Sequence, residues 1–217
     1  MTNLPEGGTL SIDADGCFTY STADGAFESL EKGENATVCF TYSVCDSYGA
    51  SDTAEVCIDV IGENDLPIAE DDYYFKTVSQ LNDDLGVITA EIMDNDSDPD
   101  NQPLRIISIT PIGPGGAEST YNGAALNNEA VYPLQNGTFT IDPDTGSVVY
   151  TPDPEMIKAL PPGKFHTDQF TYVITDPDGG TATATVYFTI VGENDPPVAE
   201  DDRETVPEGG DVSGCAL

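Results

Sequence analysis

The 217 residues carry 40 aspartates and glutamates against six lysines and arginines, giving a formal net charge of −34 at pH 7, with 38% hydrophobic residues. A field of that sign repels phosphate backbones and anionic bilayers, which argues against nucleic acid and direct membrane insertion as partners. The apolar content and the alternation of β-branched and aromatic residues argue against a disordered acidic chain, and no run of eighteen apolar residues exists to span a bilayer.

In chain order, the first ordered stretch is Gly8-Thr9-Leu10-Ser11-Ile12-Asp13, followed by Tyr20, Phe40–Asp46 and Asp52–Val56. Each returns about 130 residues later: as Gly137–Asp142 (one residue out of step), Tyr150, Phe170–Asp176 and Ala182–Val186. Between them lies Gly62-Glu63-Asn64-Asp65-Leu66-Pro67-Ile68-Ala69-Glu70-Asp71-Asp72. It recurs as Gly192–Asp202 with nine of eleven positions identical. A fixed period marks tandem units. The expected organisation is therefore the C-terminal half of a truncated repeat (1–65), one complete repeat (66–196) and the start of a third (197–217). Met1 is followed by neither a basic nor an apolar signal region, so the chain reads as a fragment of something longer.

The complete repeat reads as β throughout. Strands are expected near 72–79, 86–93, 103–110, 137–142 and 146–151, with Ile107, Ile109, Val148 and Tyr150 facing inward. Residues 111–135 are rich in glycine, asparagine and alanine and read as an insertion with one marginal strand, Ala130–Pro133. Pro154–Leu160 is the one helix candidate, stopped by Pro161-Pro162. Phe170–Thr175 and Ala182–Phe188 flank Asp176-Pro177-Asp178-Gly179-Gly180, the turn chemistry of a hairpin. Seven short strands separated by turns predict an antiparallel, Ig-like β-sandwich repeated with a period of 130 residues.

Asp94-Asn95-Asp96-Ser97-Asp98-Pro99-Asp100 offers four carboxylates in seven residues. Asn, Ser and Pro suit a loop that curls around an ion, and Ca²⁺ takes six to eight oxygens from such groups. The loop is not an EF-hand, since Pro99 stands at the sixth position and Arg105 at the twelfth. Strand parity then converges the acids. If the first strand runs away from the incoming linker, the loops Asp94–Asp100, Asp142–Gly146 and Asp176–Gly180 all return to it. Carboxylates about 5 Å apart repel by roughly 3 kcal/mol at an effective dielectric near 20, so a joint of this kind needs a cation. Candidate ligands are Glu63, Asn64, Asp65, Asp71, Asp72, Asp94, Asp96, Asp98, Asp100, Asp176 and Asp178. Turn formation alone is the competing explanation. Transition metals lack their usual donors, with one histidine, His166, and no Cys-x-x-Cys.

The order of these motifs resembles the cadherin-like tandem repeats of large secreted or surface proteins, including bacterial VCBS and tandem-95 repeats of giant adhesins. It comprises the Asn-Asp-x-Pro-x-Ala-x-Asp-Asp linker, Asp94–Asp100, Val149-Tyr150-Thr151-Pro152, Phe170-Thr171-Tyr172 and Asp176–Gly180. The resemblance implies sandwiches strung into a rod with calcium stiffening the joints, and an extracellular or cell-surface location. Tyr48-Gly49-Ala50 departs from the family's acidic turn, which weakens any site using that loop.

Five cysteines have no counterparts one period away. If Asp46–Ala50 is a hairpin loop, Cys39 faces Cys57 at disulfide distance; a slip of one residue would separate them and leave free thiols. No Gly-x-Ser-x-Gly, phosphate loop or zinc motif is present, so an enzyme is not expected. Function reads as a calcium-binding structural or adhesive module whose partners are neighbouring repeats and a surface glycan or protein. The alternatives are a carbohydrate-binding module, with Tyr48, Tyr73, Tyr74, Tyr121 and Tyr187 as candidate platform residues, or an accessory domain of a secreted enzyme.

Overall fold

The computed structural model describes residues 8–194, except 14, 23, 24, 84 and 85, together with 208 and 209. Most of the second linker copy, the expected third-repeat start and Cys215 lie outside the described residues. In the first part of the chain β1 (Thr9–Ile12) pairs antiparallel with β2 (Phe18–Ser21), and β3 (Asn35–Cys45) with β4 (Ser51–Ile61). Threonine, valine and isoleucine dominate the long hairpin because β-branched side chains suit the pleat. Val38 and Phe40 are buried, and Phe40 meets Phe18 edge-to-face at 5.4 Å. Cys39 and Cys57 stand opposite each other in the ladder and form a disulfide.

Residues 72–191 build a two-layer sandwich. In chain order come β5 (Asp72–Thr77), α1 (Val78–Asp83), β6 (Ile88–Glu91), β7 (Arg105–Pro111), β8 (Tyr121–Asn122) and β9 (Tyr132–Pro133). There follow β10 (Gly137–Ile141), β11 (Ser147–Pro152), α2 (Pro154–Ala159), β12 (Phe165–Thr175) and β13 (Thr181–Val191). One sheet has the order β6-β11-β10-β9 and the other β5-β13-β12-β7-β8. Inward residues of both sheets fill one core, where Phe139 stacks on Phe170 at 4.2 Å and Tyr150 on Phe188 at 4.6 Å. Burying each such ring stabilises the fold by roughly 1.5–3 kcal/mol.

Three expectations about strands need correction. The first strand stops at Thr77 rather than continuing to residue 79. The Thr77 amide donates to Gln80 Oε1 at 3.0 Å, and the chain turns into α1 so that Leu81 can be buried. Ile107 is only half-buried. Opposite Val173 and Ile174 a bulge in β7 pairs Val173 with Ser108 and Ile174 with Ile106, so Ile107 is left over and Ile106 faces the core in its place, while Ile109 faces inward as expected. The sandwich is also not wholly antiparallel, because β5 lies parallel to β13 from Asp72–Val186 to Thr77–Val191. Within the insertion, Tyr132–Pro133 forms a short strand as expected, and Tyr121–Asn122 adds a second.

Helix α2 forms where Asp153 caps it, its carboxylate accepting from the Glu155 amide at 2.8 Å, with proline in the first turn. The glycines that open the two linker copies are sterically required. A Cβ at Gly62 would overlap the Leu30 and Glu31 carbonyls, and one at Gly192 those of Leu160 and Pro161. Matching backbone bonds anchor both, Gly33 N to Gly62 O and Gly163 N to Gly192 O at 2.9 Å each.

Candidate metal centre

The linker is stitched onto the acidic loop before any ion is considered. Ile68 and Ser97 exchange backbone hydrogen bonds of 2.7 and 3.0 Å. The Glu70 amide donates to Asp96 Oδ1 at 3.0 Å, and Asn95 Nδ2 donates to the Glu70 carbonyl at 3.2 Å. The Asp142–Gly146 turn joins the same end through Pro143 O, which accepts from the Ile106 amide at 2.8 Å. Its acids bind their own turn, Asp142 Oδ1 taking the Asp144 amide at 3.0 Å. The residue 111–135 insertion starts from the far end of β7, where Ile112 N donates to Gln169 O at 3.3 Å, and then returns along β7 until Gly123 and Leu126 line a cavity with Pro143 and Asp144.

Two groups of acids result. The first lies where the linker enters. The Asp65 amide donates to Asp100 Oδ2 at 2.8 Å. Asn64 Nδ2 donates to the Asp65 carbonyl at 2.9 Å and to Asp176 Oδ2 at 3.1 Å. Asp98 Oδ1 accepts from the Asp100 amide at 2.9 Å and the Gln102 amide at 3.3 Å, around Asn101 in the left-handed region at φ 57°. Asp98, Asp100 and Asp176 are buried. Burial works to raise Asp176, but hydrogen bonds from Asn64 and from the Gly180, Gly179 and Asp178 amides hold its carboxyl below the usual range. Gly180 makes room for this arrangement, because a Cβ there would overlap Asp176 Oδ2 and sit 3.1 Å from Asn64 Nδ2.

Asn64 Oδ1, Asp98 Oδ2, Asp100 Oδ1 and Gln102 Oε1 are buried and receive no hydrogen bond among the described residues. All four are oxygens with lone pairs, and each unsatisfied group costs about 1–3 kcal/mol. Buried acceptors without donors, carboxylates among them, are what a hard divalent cation satisfies in one step. The donor set therefore fits Ca²⁺.

The second group surrounds Tyr172. Its hydroxyl lies 2.8 Å from the Ile92 carbonyl, 3.0 Å from Asp96 Oδ2 and 3.3 Å from Asp72 Oδ2. One hydroxyl proton cannot serve three acceptors at once. Burial, reinforced by Asp96, Asp71 and Asp94 and opposed by the Tyr172 hydrogen bond, pushes Asp72 up to about 7. Burial first, then the Glu70 carboxylate, also raises Asp96. Burial first, then the Asp96 and Asp72 carboxylates, raises the Tyr172 phenol.

The eleven predicted ligands therefore divide. Asn64, Asp65, Asp98, Asp100 and Asp176 come together at the linker entry. Asp72 and Asp96 meet at Tyr172, with Asp94 close enough to act on Asp72. Asp71 turns outward, where its Oδ1 accepts from the Thr185 amide at 2.8 Å. Asp178 accepts from Gln102 Nε2 at 2.9 Å and faces Lys32 Nζ at 3.6 Å. Glu63 is exposed and lines, with Glu28, Leu30, Val60 and Asp65, a cleft of about 260 Å³ on the side of the first hairpin. Its counterpart Glu193 accepts from the Ser79 amide at 2.9 Å and from the Ser79 hydroxyl. Gln102, Lys32 and Tyr172 were not anticipated in this role. Gln102 lies two residues beyond the last loop aspartate, which is the one local signal that pointed to it.

Among the described residues, the one trio of His, Cys, Asp or Glu ligand atoms all within 4.8 Å of each other is Cys39, Glu55 and Cys57. Its thiols are spent in the disulfide, so it is no metal site.

Comparison with known proteins gives a consistent picture. The family model for a bacterial cadherin-like domain matches residues 64–192, and that for a bacterial Ig domain matches residues 1–59. The calcium-binding lectin RapA2 of Rhizobium johnstonii is 26% identical over 189 residues, covering 85% of this chain and 72% of that protein. Among solved structures, extracellular cadherin domains 1–5 of protocadherin gamma B2 align with 90% of this chain at 16% identity and a TM-score of 0.40. This chain spans 32% of that structure. Human mucin-like protocadherin EC1-2 aligns with 87% of this chain and 80% of its own at 13% identity and a TM-score of 0.42.

Proposed function

Because the chain belongs to the bacterial cadherin-like domain family, we propose that its linker entry is a calcium-binding joint and that the chain is a structural and adhesive module of a large extracellular protein. The observation that carries this reading is the set of buried oxygens on Asn64, Asp98, Asp100 and Gln102 with no donor to satisfy them. Asn64, Asp98 and Asp100 would hold the ion, with Asp65 and Asp176 beside them. Ca²⁺ supplies positive charge and tolerates irregular oxygen shells. Mg²⁺ suits the site less, because it demands octahedral geometry and dehydrates reluctantly.

The linker contributes Asn64 and Asp65, while the sandwich contributes the rest, so binding couples the linker's direction to the body of the repeat. In this reading residues 1–65 are the second half of one repeat, 66–196 a complete repeat and 197–217 the beginning of the next. The recurring bonds at Gly62 and Gly192 support it. The Cys39–Cys57 disulfide supports an extracellular or surface location. The role is non-catalytic, with the acids committed to turns and linker. A second reading, glycan recognition, is favoured by the likeness to a lectin.

The test is calorimetric titration with Ca²⁺ and with Mg²⁺, paired with small-angle scattering in calcium and in chelator. The expected result is selective calcium binding with a longer maximum dimension in calcium. Equal heats for both ions, or none, would overturn the reading.

A further inference from the structure

The sheet β5-β13-β12-β7-β8 turns its outer face to solvent, and the end of β5 nearest the linker lies beside Asp71 and Asp72. Outward positions along β5, β13 and β12 are occupied by Tyr, Phe, Thr, Gln and Val, with no Asp, Glu, Lys or Arg. That is unusual in a chain with 21% charged residues. At the β5 edge of this face Tyr73 stacks on Tyr187 with centroids 4.9 Å apart and planes 4° from parallel. Tyr73 is 73% exposed and Phe75, two residues along the same edge, 59% exposed. Among the described residues β5 ends the sheet and no strand lies beyond it to cover these rings. At their rim Asp71 is pinned, its Oδ1 taking the Thr185 amide at 2.8 Å.

From this geometry we infer that the Tyr73–Tyr187 edge binds a neutral polysaccharide; the inference locates the glycan reading given above and rests on it. The aromatic faces, negative at the centre, accept the electropositive C–H face of a pyranose. The fixed Asp71 carboxylate and the neighbouring threonine hydroxyls accept and donate to its ring hydroxyls. Charge selects the occupant. A net charge of −34 repels acidic polymers and a second copy of this chain. A cationic partner would be drawn to the clustered carboxylates of the acidic loops before a face that carries only Asp71 at its rim. A neutral polymer rich in hydroxyls meets neither obstacle.

The experiment is affinity electrophoresis of the full chain, calcium present, in gels containing dextran, laminarin, galactomannan or alginate. Retardation by at least one neutral glycan and none by alginate is expected. Tyr73→Ala should weaken retention at least tenfold and Phe75→Ala several-fold, with both variants still unfolding cooperatively because both side chains are largely exposed. No retardation by any of the four glycans overturns the inference and the glycan reading together, and retardation by alginate alone overturns the inference and leaves the glycan reading standing. Retention by Tyr73→Ala equal to wild type overturns the placement alone. A dimer in sedimentation that Tyr73→Ala disperses would assign the face to a second copy and overturn the inference.

Discussion

Replacing Asp100 by asparagine separates the role of charge from that of shape. Asp100 is buried, with Oδ2 accepting from the Asp65 amide at 2.8 Å and Oδ1 receiving nothing. Asparagine keeps an oxygen for the Asp65 amide but places an NH₂ where the orphan oxygen stood. With free calcium at about a hundred times the dissociation constant, the wild-type site adds about 2.7 kcal/mol to stability. For a domain of this size each kcal/mol moves the midpoint by roughly 3–6 °C. Calcium should therefore raise the wild-type midpoint by roughly 8–16 °C. In Asp100→Asn a few degrees at most should remain. In chelator the ranking should reverse, with the variant equal to or above wild type, because one uncompensated buried carboxylate has gone. Differential scanning calorimetry in calcium and in chelator reads both signs. A variant that keeps the full calcium increment, or one that is less stable than wild type in chelator by several degrees, refutes the reasoning.

Two further outcomes follow from the same geometry. Gly180→Ala should displace the Asp176 carboxylate from Asn64 and weaken calcium binding at least tenfold in a calorimetric titration. Gly179→Ala, strained at φ 96° but with nothing within 4 Å of its added carbon, should cost stability and leave affinity near wild type. Asp72, raised from 3.8 to about 7, holds its proton more tightly folded than unfolded. Its contribution to stability is complete below about pH 4 and is lost as pH rises to about 7, a change on the order of 4 kcal/mol at most. In chelator, the wild-type midpoint should fall across that window relative to Asp72→Asn; parallel pH profiles for the two proteins would contradict the shift.

Two-residue alternation made the hairpins legible in Phe40–Asp46 and Phe170–Asp176, which share an aspartate and a glycine in their turns, Asp46 with Gly49 and Asp176 with Gly179. Parity along β6, β10 and β12 brought the acidic turns to the linker's end without any coordinates. What parity could not resolve was direction within the acidic runs. Asp71 and Asp72 are neighbours, so one faces the core and the other the sheet edge, and composition does not say which. Ile107 was misplaced because it is the extra residue of a bulge in β7 that interrupts the alternation, and a bulge leaves no mark on a string of β-branched residues. Asp178 also faces Lys32, 146 residues away in sequence, and Gln102. Such partners are fixed by the tertiary arrangement alone.

The parallel pairing of β5 with β13 bears on how the module carries tension. These are the first and last strands of the sandwich, and the chain enters at the foot of β5 and leaves from the head of β13. Pulling the two ends apart drags the strands past each other along their length. The run of bonds from Asp72–Val186 to Thr77–Val191 is then strained together, in shear, instead of opening one at a time like a zip. The sandwich therefore resists extension at its first and last strands.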